Sequence, residues 1–169
     1  MYRKEWEAVH KVFNQFEEAC KDISSFMQPE NTLIDPGALI DQTQDKLLEL
    51  IRFLKMSLQK IIPAEEARLV RMVIVFYFDE QIRTRYFANE PIVWPLMQKK
   101  AYQSTTGGEK FYQLIDNALR SEETDRFLYE ICYFCLKCGF RGKYFEQEEM
   151  IKHYMQLLDQ RINADLTTH

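Results

Sequence analysis

The stretch MVIVFYFDE, residues 72–80, decides how this chain is read. Seven apolar residues run without interruption from Met72 to Phe78, a pattern shared by a buried strand and by the centre of a helix. The pattern extends back through Ala67 and Leu69 with no breaker, and no partner strand is visible elsewhere in the chain, so the reading is a helix. A helix that is apolar all round is normally central in its bundle. Pro63 stands at its start, a favoured first-turn position. Glu65 and Glu66 follow, where acidic side chains complement the helix dipole.

Toward the N-terminus, Trp6, Val9, Phe13, Phe16, Cys20 and Ile23 recur at spacings of three and four, one apolar stripe on a helix over 2–26. A connector from Gln28 to Gly37 holds Pro29 and Pro36. A second helix carries Ile40, Leu47, Ile51, Leu54 and Leu58 on one side. Toward the C-terminus, residues 88–91 break the chain, and a short helix is expected over Trp94–Tyr102. Residues 105–109 read as the start of the next helix, with Phe111, Leu114, Ile115 and Ala118 inward. Ser121 is the expected N-cap of a helix that carries Leu128, Ile131, Cys132 and Cys135 on one face. A last helix spans Gln147–Asn163. The expected fold class is all-α, with about six to eight helices and no internal repeat.

Composition narrows the function. At 169 residues with 46% hydrophobic and 14% aromatic content, the chain has material for a real core rather than disorder. A net charge of −4 supplies no concentrated positive field for phosphate contacts, which argues against nucleic acid. The charged start MYRKEWEAVHK is no signal peptide, so a cytosolic setting with reduced thiols is expected. No run of 18 apolar residues is present to span a bilayer.

The densest cluster of chemistry is CLKCGFRGKY, residues 135–144. With Cys132 it forms C-x-x-C-x-x-C. An iron–sulfur run wants a further cysteine near 142, where Gly142 stands. Zinc wants four ligands, and His10, His153 and His169 fall at no motif spacing. A redox C-x-x-C needs a preceding strand. The favoured reading is thiols packed in a core, with a metal or thiol protein as the competing class. The P-loop fails on spacing, because Tyr144 occupies the hydroxyl position. Gly139 instead reads as a helix stop, with Phe140 folding back and Arg141 and Lys143 near the helix C-terminus. No catalytic set and no cofactor motif emerges. Asp79 and Glu80 admit two readings: a surface ion pair from Asp79 to Arg83 at i+4, or carboxylates on a rigid helix at a groove edge that select a basic partner.

The order of motifs resembles the DotU/TssL/IcmH family, the cytoplasmic domain of an inner-membrane component of type VI and type IVB secretion systems. The residues that carry the resemblance are Asp79-Glu80, Trp94 after the break, GGEKFYQLI (107–115) and the closing GFRGKY (139–144). Its motif positions here are Asp79, Glu80, Trp94, Gly107, Gly108, Glu109, Phe111, Gly139, Phe140, Gly142, Lys143 and Tyr144. The resemblance implies two fused three-helix bundles forming a hook. It divides one domain over 1–169 into first helices (1–63), motif-bearing helices (64–163) and a tail (164–169) that leads to a membrane anchor past the last residue. It implies no enzymatic activity, no cofactor and no small-molecule substrate. The implied partners are an IcmF/TssM-like inner-membrane protein and cytoplasmic baseplate proteins, with homodimerisation mainly through the anchor, and Asp79 and Glu80 as the partner-binding pair. A start almost directly on the first helix favours the type VI system over type IVB.

Overall fold

The computed structural model describes residues 3–28, 30 and 35–167, with side chains through 164. Among them are seven α-helices and no strand: α1 Lys4–Phe26, α2 Pro36–Leu58, α3 Ala64–Ile82, α4 Met97–Tyr102, α5 Gly107–Arg120, α6 Arg126–Lys137 and α7 Glu148–Thr167. The expected all-α class is what the chain adopts.

Each helix follows from its sequence. In α1 the three-and-four spacing buries Val9, Val12, Phe13, Phe16, Cys20 and Ile23 on one face. At α2 the Asp35 carboxylate accepts from the Gly37 N–H at 3.0 Å, and Pro36 supplies a preset first-turn φ. The last two residues of the expected connector, Pro36 and Gly37, therefore belong to the helix. Pro29 and residues 31–34 of that connector lie outside the described residues.

The decisive stretch is helical and central. Residues 73–79 are all buried, Val73, Ile74, Val75 and Phe78 fully so, which covers every face of this part of α3. Each such Val or Phe contributes about 1.5–3 kcal/mol relative to exposure. α3 packs against α2, α4, α5 and α6, and Phe78 stacks on Phe16 of α1 with centroids 4.3 Å apart. α1, α2 and α3 form one group of three; α5, α6 and α7 form a second, against which α3 also lies. Trp6 joins α1 to α6 edge-on to Phe127 and Phe134, so a single core runs through both groups. After Ile82 the helix widens into a π-helical turn, Arg83–Phe87, where the Thr84 hydroxyl donates back to the Glu80 carbonyl at 2.8 Å.

One expected cap is corrected. The N-cap of α6 is Asp125, whose carboxylate accepts from the Phe127 N–H at 2.8 Å. Ser121 instead leaves α5 in an extended conformation, and its hydroxyl accepts from the Glu123 N–H within a turn. Among the described residues, no helix is long and apolar enough to cross a membrane.

Candidate functional site

Three separated segments of sequence meet at the C-terminal end of α3. Asp79 is 1% exposed, and its carboxylate is encircled by donors. Oδ1 accepts from Trp94 Nε1 at 3.0 Å and from the Met97 N–H at 2.8 Å, while Oδ2 accepts from the Gln98 N–H at 2.9 Å. Two of those donors are unpaired N–H groups of the first turn of α4, so a buried carboxylate caps a helix 18 residues downstream. Gln98 then extends the chain of bonds. Its Oε1 accepts from the Gly107 N–H at 2.8 Å and from the Ser104 hydroxyl at 3.2 Å, which fixes where α5 begins.

Glu80 reaches the other way. Its oxygens accept from the N–H groups of Arg141 at 2.8 Å and Gly142 at 2.7 Å. These hold the turn that follows α6. That turn begins with a Schellman stop: Gly139 has φ +110°, its N–H bonds the Leu136 carbonyl, and the Phe140 N–H bonds the Cys135 carbonyl. Phe140 folds back to 1% exposure against Phe111, ring centroids 4.3 Å apart, as the sequence leads one to expect. Arg141 donates to the carbonyls of Leu136 and Phe140 and pairs with Glu148 at 2.7 Å. Tyr144 packs edge-on against Tyr112, and Lys143 Nζ lies 5.0 Å from the Tyr144 ring centroid.

The glycines let the segments touch. Gly142 has φ +59°, and a Cβ there would meet the Gly108 carbonyl oxygen at 2.6 Å. At Gly107 a Cβ would meet Gln98 Oε1 and Phe76 Cδ1, both at 2.7 Å. The GGE and GFRGKY motifs are thus pressed backbone to backbone. The other motif positions, Trp94, Glu109 and Phe111, surround the same junction: Trp94 is buried on Asp79, Phe111 is buried beside Phe140, and Glu109 is exposed on α5.

This placement overturns one of the two sequence readings of the acidic pair, the surface ion pair from Asp79 to Arg83. Among the described residues no ion pair joins Asp79 to Arg83. Asp79 is not a surface carboxylate, and Glu80 is half-buried with both oxygens engaged. Burial raises the pKa of each above its ordinary value, and the N–H donors offset only part of that rise. The groove edge does exist. A cleft of about 280 Å3 opens between these segments, with Glu80, Arg83, Thr105, Thr106, Glu109 and Lys143 among its lining. Sequence reading missed Gln98, Thr105 and Thr106 as site residues. Nothing in their local sequence marks them: Gln98 is placed by the Asp79 carboxylate and the Gly107 N–H, and Thr105 and Thr106 enter only as lining of the cleft.

The cysteines belong to the interior. Cys132 and Cys135 are buried on the face of α6 that carries Leu128 and Ile131, as expected, and Cys138 is half-buried at the helix end. Burial raises the thiol pKa of all three, which keeps them from the reactive thiolate form. Among the described residues, no three His, Cys, Asp or Glu side chains group closely enough to hold a metal ion.

Comparison with known proteins sets this junction in context. A family model described as type VI secretion system protein DotU matches residues 15–168. No curated protein matches the chain. Among solved structures, the chain is similar to DotU from Francisella novicida at 20% identity and a TM-score of 0.72, over 94% of this chain and 99% of that one. It is similar to the cytoplasmic domain of TssL from Acinetobacter baumannii at 18% identity and a TM-score of 0.74, over 96% and 99%. At these identities the two structures establish the shared fold.

Proposed function

The chain belongs to the DotU family of type VI secretion system proteins, and from that premise we propose that it is a non-enzymatic docking component of the secretion membrane complex. In this reading the domain faces the cytoplasm at the inner membrane, held by an anchor outside residues 1–169. It binds an IcmF/TssM-like inner-membrane protein and recruits cytoplasmic baseplate proteins through the cleft beside Glu80. The observation that carries the reading is the convergence of three motifs on one cleft where Asp79 and Glu80 hold backbone groups of neighbouring segments. Asp79 and Glu80 then serve partner binding indirectly, by fixing the walls of the cleft.

The test uses the full-length protein in cells. A photo-crosslinking residue at Thr105 should capture an IcmF/TssM-like or baseplate protein, and Thr105→Trp should stop secretion with an unchanged melting temperature. Normal secretion by a folded Thr105→Trp protein would reject the cleft as the docking site. Thr105 is suited to this because it is exposed and precedes α5.

A further inference from the structure

α1 and α2 lie antiparallel. Lys11 of α1 sits over the Phe53 ring of α2 at 4.5 Å, and further along the pair Lys46 of α2 reaches Asp22 of α1 at 3.4 Å. Between the two helices run two adjoining hollows of about 630 and 490 Å3, which share Lys11 and Phe53. Together they form a groove that follows α1 from Lys4 to Asp22, about 27 Å at 1.5 Å per residue. Small or apolar side chains lie along it: Ala8 and Ala19 from α1, Leu50 and the half-buried Phe53 from α2. No residue of this groove lines the cleft beside Glu80. Its two ends differ in charge. Toward the start of α1, Lys4 and Lys11 stand against Glu7, a net positive end. Toward the end of α1, Glu18, Asp22, Asp45 and Glu49 stand against Lys46. Lys21 and Arg52 pair with Glu18 and Glu49 at 3.3 and 3.5 Å, and this end stays net negative with both of them counted. All of these charged side chains are exposed.

We propose that this groove is the contact face for a second copy of the chain, the two grooves packed face to face about a two-fold axis that crosses them at right angles near Lys11 and Gln15. That rotation reverses the groove, so each α1 lies antiparallel to the α1 of the other copy and each basic end meets an acidic end. Lys4 and Lys11 of one copy then oppose Asp22 and Glu18 of the other, and symmetry makes the same contact twice. Leu50 and Phe53, near the middle of the groove on α2, meet their own counterparts and close an apolar centre. The small side chains of Ala8 and Ala19 leave room for the opposing helix. The chain carries a net charge of −4, so two copies repel overall. A face with separated charge is where that repulsion is locally reversed, and only in the antiparallel register, which selects one arrangement over others. The cleft shares no residue with this face, so the proposal stands or falls independently of docking at the cleft.

The experiment is sedimentation equilibrium of the 169-residue chain over a concentration series, which keeps association through an anchor out of the measurement. Wild type should approach twice the monomer mass as concentration rises, and less readily as salt is added. Two charge-reversed proteins are then compared, Lys4→Glu with Lys11→Glu, and Glu18→Lys with Asp22→Lys. All four positions are exposed, so both proteins should keep the wild-type melting temperature. Each alone sets like charges together at both ends of the face and should dimerise about tenfold more weakly or worse. Mixed in equal amounts, they should dimerise with each other, because every reversed end then meets an end of opposite sign. A wild-type chain that stays monomeric throughout would overturn the proposal. So would reversed proteins that each dimerise as well as wild type, which would place the contact on another face. A mixture that stays monomeric while both proteins are folded would overturn the antiparallel register. A monomeric wild type, joined to loss of secretion in the folded Lys4→Glu, Lys11→Glu protein, would assign the groove to a different partner and end the case for a second copy.

Discussion

Asp79 and Glu80 are neighbours in the chain, yet each organises a different loop. Asp79 gathers Trp94 and the first turn of α4, and Glu80 gathers residues 141 and 142. Removing the first carboxylate leaves three buried donors without an acceptor. Asp79→Ala should therefore cost about 3–5 kcal/mol, read from chemical denaturation, because each orphaned group carries its own desolvation penalty. A loss below 1 kcal/mol would mean that water replaces the carboxylate freely. Glu80 gives a pH signature. Its folded pKa lies above the usual value, so the folded state holds the proton more tightly than the unfolded chain. Its contribution to stability is then fullest at acid pH and declines as pH rises through the raised pKa. The stability difference between wild type and Glu80→Gln should move in favour of wild type as pH falls from neutrality toward 4.5; movement in the opposite sense would contradict the raised pKa. The sequence showed the pair as notable but not its role. An ion pair to Arg83 is visible as spacing, whereas the actual partners are backbone amides up to 62 positions away, and an amide has no letter of its own. Only Trp94 and the glycines, which sit on those loops, marked the place.

Among the elements, α3 was legible because seven apolar residues in a row admit few surroundings, and the unbroken run back to Ala67 chose helix over strand. The end of α6 was equally legible, since a glycine after the last periodic residue and a phenylalanine behind it make a known stop. The start of α6 was not: Ser121 and Asp125 are both good caps, and the choice depends on how the 121–125 turn closes. Close approach of elements was also hidden. Gly142 needs a positive φ, which asparagine tolerates, but its Cβ would also strike the Gly108 carbonyl. Gly142→Ala and Gly142→Asn should therefore both lower the melting temperature, by several degrees. Full stability in the Asn variant would show that φ alone is demanded there. On α6 the thiols test burial. Cys132→Ser should cost about 1–3 kcal/mol by placing a hydroxyl in an apolar site, and Cys132→Ala less. In the native protein Cys138 should react with a thiol reagent well before Cys132 or Cys135. Rapid labelling of all three would contradict a packed α6.

At the scale of the molecule, one buried helix carries an acidic pair at its end, and that pair fastens the two stretches of chain that wall the cleft. The core would hold α3 in place without the pair, since Phe76 and Phe78 are already enclosed. What the pair adds is a fixed position for α4, the start of α5 and the turn after α6. This separation of duties makes the central claim measurable by amide hydrogen exchange on wild type and Glu80→Gln. In wild type the amides of Met97, Gln98, Arg141 and Gly142 should all be protected, although all four lie in the first turn of a helix or in the turn after α6, where exchange is ordinarily fast. In Glu80→Gln, protection should fall at Arg141 and Gly142 while Met97 and Gln98, held by Asp79, stay slow. Fast exchange at all four amides in wild type, or no change at Arg141 and Gly142 in the variant, would contradict the account.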